Sequence, residues 1–242
     1  MLRVAGLEVR RKPPLLVRSP HELPMTVEYA AAHLAAFNPD QTFTVLQIGA
    51  FDGTANDPIA RSINAFGWKA VLVEPQPHPF LALQRLYKDH PDVQTFNVAI
   101  SDQDGTRPLF TIDPVDDLPG WAQQIASFKR SHFDKTQRYL PGIDVAARVK
   151  VTDVPTWTFD TLLRHAGIGH VDVLQIDTEG YDLELLRMFD VPRRKPRIIG
   201  YEHQHLSRAD RAAAAELLVA CGYRLAMVYG VGDTVAVAAP DM

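Results

Sequence analysis

Short, nearly continuous apolar runs recur along the chain between residues 43 and 201. They are four to eight residues long and rich in valine and isoleucine, and they cover Phe43–Ile48, Lys69–Glu74, Val93–Ile100, Val171–Ile176 and Arg197–Tyr201. Strands buried on both faces of a parallel sheet have this pattern, because helices cover both sides of such a sheet. We therefore predict five parallel strands.

Segments with helical spacing separate most of these runs, at about 58–66, 79–89, 158–165, 181–189 and 207–221. A further helix is predicted from Thr26 to about Phe37. Thr26 and Ser207 can cap the free N–H groups of a first turn, and Gly222 stands where the last helix ends. The alternation predicts an α/β fold with right-handed crossovers and helices on both faces of the sheet.

The C-terminal part of the chain breaks this alternation. Tyr223–Tyr229 and Thr234–Ala239 have strand composition and are joined by only four residues, 230–233. A parallel crossover needs about a dozen residues or more, so these two segments must form an antiparallel hairpin. We expect a mostly parallel sheet of seven strands that ends in this hairpin.

Two segments fit neither pattern. Residues 1–25 are rich in Pro, Arg and Lys, and we predict an N-terminal arm followed by a single domain at 26–242. Residues 113–145 are polar with scattered aromatic side chains, and an insertion of this length is usually a lid or a substrate-binding element. We predict that it covers the substrate, with apolar walls from Trp121, Phe128 and Phe133.

Composition narrows the classes of function. Hydrophobic residues make up 46% of the 242 residues, the net charge is −4, and there is one cysteine, Cys221, which excludes an intramolecular disulfide. A protein that binds nucleic acid through its charge would carry a basic stripe. No apolar stretch reaches the ~18 residues of a membrane span. We expect a cytoplasmic protein with a small-molecule substrate, no nucleic acid or membrane partner, and a homo-oligomer as one option.

A glycine-containing turn follows the first strand. Gly49 and Gly53 allow a tight turn that a ligand can approach closely, and the next helix offers free N–H groups. Phe51 stands where a dinucleotide-binding turn has its second glycine. Glu74 ends the second strand, 21 residues beyond Gly53. In a doubly wound sheet a carboxylate at this position can accept hydrogen bonds from both hydroxyls of a ribose.

Several blocks of the sequence resemble the FkbM-type methyltransferase family. They are Ile48–Gly53, Asn97–Ser101, Thr158–Leu163, Val171–Asp182 with its Ile-Asp-Thr-Glu-Gly strand end, and Ile198–Glu202. The resemblance covers about residues 43–238 and implies a Rossmann-like class I methyltransferase fold. Its mostly parallel seven-stranded sheet ends in an antiparallel hairpin and carries helices on both faces. Gln47 departs from the pattern, because many methyltransferases have an acid there.

The resemblance also implies S-adenosylmethionine as methyl donor and usually a hydroxyl oxygen as acceptor, often on a sugar or natural product. The residues expected around the cofactor belong to the glycine turn and the strand ends: Gly49, Ala50, Asp52, Gly53, Glu74, Asn97, Ala99, Ser101 and Asp177.

Methyl transfer to an alcohol requires alignment and removal of the hydroxyl proton. Candidate catalytic residues follow the fourth and fifth strands, whose ends meet at one edge of the sheet: Asp177, Glu179, Glu202, His203 and His205. His203 or His205 can act as the base, because imidazole titrates near neutral pH. Alternatively, Asp177, Glu202 and His203 can hold a divalent metal ion that lowers the pKa of the acceptor hydroxyl. We favour the base without a metal.

Three other functions would use some of the same residues. A nicotinamide-dependent oxidoreductase would place Glu74 on a ribose, but the missing second glycine and the terminal hairpin argue against it. A metal-dependent hydrolase would use Asp177, Glu202, His203 and His205, but leaves the glycine turn without a role. The residues alone do not exclude the third function, that of a non-catalytic nucleotide-binding or assembly protein.

Overall fold

The computed structural model describes residues 2–4, 7–9, 26–54, 57–113, 118–227 and 232–239. The strands are β1 (Leu2–Val4), β2 (Leu7–Val9), β3 (Thr44–Ile48), β4 (Lys69–Val73), β5 (Val93–Phe96), β6 (Ala99–Ile100), β7 (Gly105–Ile112), β8 (Ala126–Ser127), β9 (Val149–Trp157), β10 (Val173–Ile176), β11 (Ile198–Glu202), β12 (Tyr223–Met227) and β13 (Asp233–Ala238). The helices are α1 (Val27–Phe37), α2 (Ala60–Phe66), α3 (Pro77–Tyr87), α4 (Ser131–Thr136), α5 (Val145–Arg148), α6 (Phe159–Ala166), α7 (Asp182–Met188), α8 (Val191–Arg194) and α9 (Arg208–Ala220), with 3₁₀ turns at Gly120–Gln123 and Gln137–Tyr139.

The central sheet has the strand order β12-β13-β11-β10-β3-β4-β5. Strands β3, β4, β5, β10 and β11 are parallel, while β13 pairs antiparallel with both β11 and β12. The second strand of the C-terminal hairpin therefore lies inside the sheet and the first at its edge. The predicted seven-stranded, mostly parallel sheet with a terminal hairpin is confirmed.

Both faces of this sheet are covered by helices. Val45 and Leu46 are fully buried neighbours on β3, and they belong to apolar clusters on opposite faces, since side chains alternate along a strand. One cluster includes side chains of α6, α7 and α9, and the other includes side chains of α1, α2 and α3. Burial on both faces explains why the strands are continuous apolar runs in the sequence.

The predicted helix ends are confirmed. Thr26 accepts a hydrogen bond from the Tyr29 N–H at 3.3 Å before α1. Ser207 accepts one from the Asp210 N–H at 3.1 Å before α9, and Gly222 follows that helix with φ +87°. Each cap satisfies a backbone group that has no partner within its helix.

A second sheet, of order β6-β9-β7-β8, was not predicted. Its long antiparallel pair, β7 and β9, runs from Gly105 opposite Thr156 to Ile112 opposite Val149. Most of the β9 side chains are exposed, and each of the two strands contains a proline. Apolar periodicity is therefore too weak to reveal either strand.

The prediction of one strand over Val93–Ile100 was wrong. The chain leaves the central sheet after Phe96, and Ala99 begins β6, which pairs with β9. The Asn97 side-chain amide donates hydrogen bonds to the carbonyls of Glu74 at 2.8 Å and Pro75 at 3.1 Å. These bonds fix the break between the two strands.

The residues between β7 and β9, 113–148, are called the insertion below. Its described part folds around an apolar cluster of its own, which comprises Ile112, Leu118, Ala122, Ile125, Phe133, Leu140 and Val145. Of the predicted N-terminal arm the structure describes only β1 and β2, which pair antiparallel, and the rest of residues 1–25 lies outside the described residues. In the described parts of the chain, no helix combines the length and apolarity that crossing a bilayer requires.

Candidate active site

A cleft of about 900 Å³ opens at the carboxyl edge of the central sheet. It lies where β3 and β10 are neighbours, and the helices that follow these two strands pack on opposite faces. Ligands of open α/β sheets bind at such switch points. The walls are the turn after β3, the end of β4, β6, part of the insertion, and the loop after β10.

Close backbone packing shapes the turn after β3. Gly49 has φ +84°, and a Cβ atom there would lie 1.8 Å from the backbone oxygen of Asp177. Phe51 also has a positive φ, +46°, and its N–H donates a hydrogen bond to Glu74 Oε2 at 2.9 Å. Glycine is therefore required at position 49, and the turn is bonded directly to the end of β4.

Glu74 is the buried carboxylate of the cleft. It is 3% exposed, and its oxygens accept hydrogen bonds from the N–H groups of Phe51 at 2.9 Å and Gln76 at 2.7 Å. Burial raises the pKa of Glu74 to about 7 in spite of these bonds. A carboxylate has about four acceptor sites, so acceptor capacity remains for other donors.

Five of the nine predicted cofactor residues line the cleft, namely Gly49, Ala50, Glu74, Ala99 and Asp177. Gly53 does not, because it packs against α3: a Cβ there would lie 2.8 Å from Leu83 Cδ1 and 2.9 Å from Leu86 Cδ2. Asp52 accepts hydrogen bonds from the N–H and hydroxyl of Thr54.

Asn97 and Ser101 also lie outside the cleft lining. Asn97 fixes the exit of β5 as described above. Ser101 Oγ donates to Asp102 Oδ1 at 2.9 Å and accepts a hydrogen bond from Arg107 Nη1 at 2.8 Å. Both side chains therefore form hydrogen bonds with neighbouring groups of the protein.

Asp57 is a cleft residue that the sequence analysis missed. Its Oδ1 accepts hydrogen bonds from the N–H groups of Ile59 and Ala60, both at 2.9 Å, at the start of α2. Both Asp57 and Gln47 line the cleft, and a hydrogen bond from the Gln47 side chain partly offsets the burial that raises the pKa of Asp57, while Gln47 Oε1 is buried without a hydrogen-bond partner. An acidic residue just before a helix was the sequence signal for Asp57.

Carboxylates gather at the ends of β10 and β11. Oxygens of Asp177, Glu179 and Glu202 lie within 4.8 Å of one another. The side chain of Asp177 is open to the cleft, but the enclosing protein and then the charge of Glu179 raise its pKa well above the usual value. Burial, followed by the charge of Asp177, raises the pKa of Glu202.

Asp182 joins the two strand ends. Its Oδ1 accepts the Glu202 N–H at 3.2 Å, and its Oδ2 accepts hydrogen bonds from the Thr178 hydroxyl at 3.0 Å and the Gly180 N–H at 3.3 Å. The side chain is fully buried, which raises its pKa to about 7. Asp182 therefore positions the loop that carries Glu179.

Only one of the two predicted histidines joins the carboxylates. His205 Nε2 lies 3.1 Å from Glu179 Oε2 and 3.4 Å from Glu202 Oε1, and burial lowers the pKa of His205. His203 instead faces β13, where its Nδ1 is 3.0 Å from Thr234 Oγ1. The predicted metal set of Asp177, Glu202 and His203 is therefore not assembled, because His203 is occupied by Thr234.

A second histidine comes from the insertion. His132 on α4 places its Nε2 3.4 Å from Glu179 Oε2, although the two residues are 47 positions apart in the sequence. The rings of His132 and His205 have centroids 4.9 Å apart. No motif surrounds His132, so the sequence offered no signal for it.

The family model of the methyltransferase FkbM domain matches residues 47–225. The chain belongs to the FkbM methyltransferase family. This membership does not favour the oxidoreductase or hydrolase alternatives. No curated protein sequence matches the chain significantly.

Several solved structures are similar to this FkbM family member at low sequence identity. The crystal structure of methyltransferase FkbM from Methylobacillus flagellatus KT matches with a TM-score of 0.51 and 12% identity, over 81% of this chain and 43% of that chain. This chain thus spans less than half of the length of that protein. A METTL16 MTase domain has a TM-score of 0.46 and 12% identity, over 88% and 66% of the two chains. Precorrin-6y C5,15-methyltransferase from Geobacter metallireducens GS-15 has 0.43 and 11%, over 82% and 81%.

In this FkbM family member the insertion contacts the cleft through Phe128. That side chain lines the cleft, packs edge-on against Tyr181 at 5.5 Å between ring centroids, and lies under Arg107. Of the other two predicted walls, Phe133 is 2% exposed within the cluster of the insertion, and Trp121 is 41% exposed and outside the lining. The prediction of three aromatic walls therefore holds for Phe128 alone.

Proposed function

We propose that this FkbM family member transfers a methyl group from S-adenosylmethionine to a hydroxyl oxygen of a small molecule. The observation that carries the proposal is the buried carboxylate of Glu74 beside the Gly49 turn, in a cleft that continues past Asp177 to the insertion. The cleft has one half suited to a nucleoside and another half suited to an acceptor.

The nucleoside half combines one charge with apolar walls. Glu74 has acceptor sites left for the two ribose hydroxyls, while Val98, Ala99 and Ile100 offer an apolar surface to an adenine. The Asp57 carboxylate and Gln47 Oε1, which is buried without a hydrogen-bond partner, would accept hydrogen bonds from the methionyl ammonium group. A buried acceptor without a donor costs roughly 1–3 kcal/mol, and the cofactor would remove that cost. Asp57 thus supplies the acid that position 47 lacks.

The acceptor half lies between the end of β10 and the insertion. Asp177 follows β10 next to Gly49, and its carboxylate is open to the cleft, which Phe128 and Tyr181 also line. The acceptor oxygen would attack the methyl carbon in line with the departing sulfur. Asp177 takes the hydroxyl proton, and the products are a methyl ether and S-adenosylhomocysteine.

Titration calorimetry with S-adenosylhomocysteine tests the nucleoside half. The parent protein should bind it and should not bind NAD. Glu74→Ala should weaken binding by roughly 10- to 150-fold, which corresponds to ~1.5–3 kcal/mol for hydrogen bonds to a charged group. Glu216→Ala, which removes an exposed carboxylate on α9, is the matched control and should bind as the parent does. Equal affinities of the Glu74→Ala and parent proteins would exclude Glu74 as the ribose ligand.

The acceptor half is tested by transfer of a labelled methyl group to hydroxyl-bearing sugars and natural products. Asp177→Asn should lower the rate constant for transfer by ~10²–10⁴, the usual contribution of a general base, and should leave the affinity for S-adenosylhomocysteine within a few fold. A fully active Asp177→Asn enzyme would remove this residue from the mechanism.

A further inference from the structure

We propose that His132, Glu179 and His205 form a binding site for one divalent transition-metal ion at the junction between the insertion and the sheet edge. Two elements that are distant in the sequence meet there: α4 of the insertion supplies His132, and the loops after β10 and β11 supply Glu179 and His205. The inference concerns binding of a metal and does not depend on which methyl acceptor the protein uses.

The spacing of the three ligand atoms fits a metal ion. Glu179 Oε2 lies 3.4 Å from His132 Nε2 and 3.1 Å from His205 Nε2, and all three atoms lie within 4.8 Å of one another. Bonds of ~2.0–2.1 Å around a tetrahedral ion separate neighbouring ligand atoms by about 3.3 Å. A metal ion can therefore be bound with small side-chain movements.

Hydrogen bonding does not account for the cluster. The side chain of His132 is 6% exposed, and its Nε2 is inaccessible to solvent and has no hydrogen-bond partner. Glu179 Oε2 is equally buried, and neither of the two imidazole nitrogens beside it is aligned with it for a hydrogen bond. Buried polar atoms in native proteins nearly always have partners, and an unsatisfied one indicates a bound water or ion or a functional role. One cation between them would satisfy both atoms at once.

The backbone aims Glu179 at the two histidines. Glu179 has φ +54°, a left-handed conformation that is uncommon for a residue other than glycine, and Gly180 follows with φ +95°. Asp182 holds this turn through the Gly180 N–H and the Thr178 hydroxyl. Such conformations persist where the surrounding structure imposes them, and they cluster at ligand-binding sites.

The ligand set indicates the class of metal. Imidazole nitrogens suit zinc, iron, copper and nickel, whereas magnesium and calcium prefer oxygen ligands alone. Two histidines and one carboxylate are the ligands of several catalytic zinc sites and of non-haem iron sites, and three protein ligands leave a position for water or a substrate oxygen. We therefore expect Zn²⁺ or Co²⁺ to bind and Mg²⁺ not to compete.

The experiment is a titration of the chelator-treated 242-residue chain with Co²⁺, followed by its visible absorption, and with Zn²⁺ by calorimetry. One ion per chain should bind, and excess Mg²⁺ should not displace it. His132→Ala, His205→Ala and Glu179→Gln should each weaken binding by more than about 100-fold, since the loss of residues that only hydrogen-bond to metal ligands already costs 10- to 100-fold. His78→Ala, which removes an exposed histidine at the start of α3, is the control and should bind as the parent does.

Three results would overturn the site. They are a folded parent that binds neither ion, a His132→Ala protein that retains parental affinity, and binding that Glu202→Gln abolishes but His132→Ala does not. If His132→Ala unfolds the insertion, His132→Gln is used in its place, because glutamine keeps a polar side chain of similar reach. S-adenosylhomocysteine titrations on the same proteins separate the two proposals. Loss of metal binding alone contradicts this inference, and failure to bind the nucleoside contradicts the proposed function.

Discussion

The two halves of the cleft are built in different ways. In the nucleoside half, the turn after β3 and the end of β4 lie on adjacent strands and are joined by the hydrogen bond from the Phe51 N–H to Glu74. In the acceptor half, Phe128 of the insertion packs against Tyr181, and beside this half α4 places His132 against residues 47 and 73 positions away. Local sequence therefore specifies the first half, and only tertiary packing assembles the second.

Deleting the insertion should give the largest effect among the tests of this difference between the two halves. Ile112 and Val149 are directly paired on β7 and β9, so residues 113–148 can be replaced by an Asn-Gly turn that closes the hairpin. Methyl transfer should fall below detection, because the part of the acceptor half that the insertion forms, Phe128 included, is lost. The affinity for S-adenosylhomocysteine, measured by calorimetry, should change by only a few fold. A folded deletion protein that no longer binds the nucleoside would show that the insertion belongs to both halves.

The next test concerns the nucleoside half. Gly49→Ala places a methyl group 1.8 Å from the backbone oxygen of Asp177, so the turn must move. Gly167→Ala is a matched control, because Gly167 also has a positive φ, +67°, but nothing lies within 4 Å of its added Cβ. The control should lose about 1–2 kcal/mol of unfolding free energy from its backbone conformation alone.

Gly49→Ala should lose at least about twice that amount and should also lose nucleoside binding. Chemical denaturation and calorimetry measure the two effects. Equal losses of stability in the two variants would mean that the close approach of Gly49 to Asp177 is not present in solution.

A change of pH should have a smaller effect on the affinity for the nucleoside. The pKa of Glu74 is raised to about 7 by burial, and ribose hydroxyls donate to the charged carboxylate. Below pH 7 the group must lose its proton before binding, so nucleoside affinity should fall by up to tenfold per pH unit and should level off above pH 8. Glu74→Gln cannot titrate and should show weaker binding with a flatter profile. An unchanged profile in Glu74→Gln would assign the pH dependence to another group.

The smallest effect, on the unfolding free energy, is expected from breaking an exposed ion pair of the insertion. Lys129 Nζ lies 2.7 Å from Glu184 Oε1, but the lysine side chain is half exposed. Exposed ion pairs contribute about 0–1 kcal/mol, so Lys129→Ala should change the unfolding free energy by less than about 1 kcal/mol. A change of several kcal/mol in denaturation would reveal that this pair, rather than the apolar cluster of the insertion, holds the insertion in place.

The sequence predicted the central sheet well because burial on both faces leaves uninterrupted apolar runs, as in β3 and β10. The pattern of apolar residues did not reveal β7 and β9, because their exposed faces carry polar residues and proline. Gly49 and Glu74 could be predicted because a sharp turn and a strand end have local signatures.

Ser101 and His203 were assigned to the site from their position at strand ends, but a strand end does not specify which way a side chain points. Ser101 is occupied by Asp102 and Arg107, and His203 is occupied by Thr234. His132 had no local signature at all, since its role depends on how the insertion packs on the sheet edge.

The most direct test of the central claim is a crystal structure of the protein with S-adenosylhomocysteine. We expect both ribose hydroxyls within hydrogen-bond distance of the Glu74 carboxylate, the adenine against Ala99, and the sulfur on the side of the cleft nearest Asp177. A nucleoside bound elsewhere, or in this cleft with its ribose away from Glu74, would contradict it.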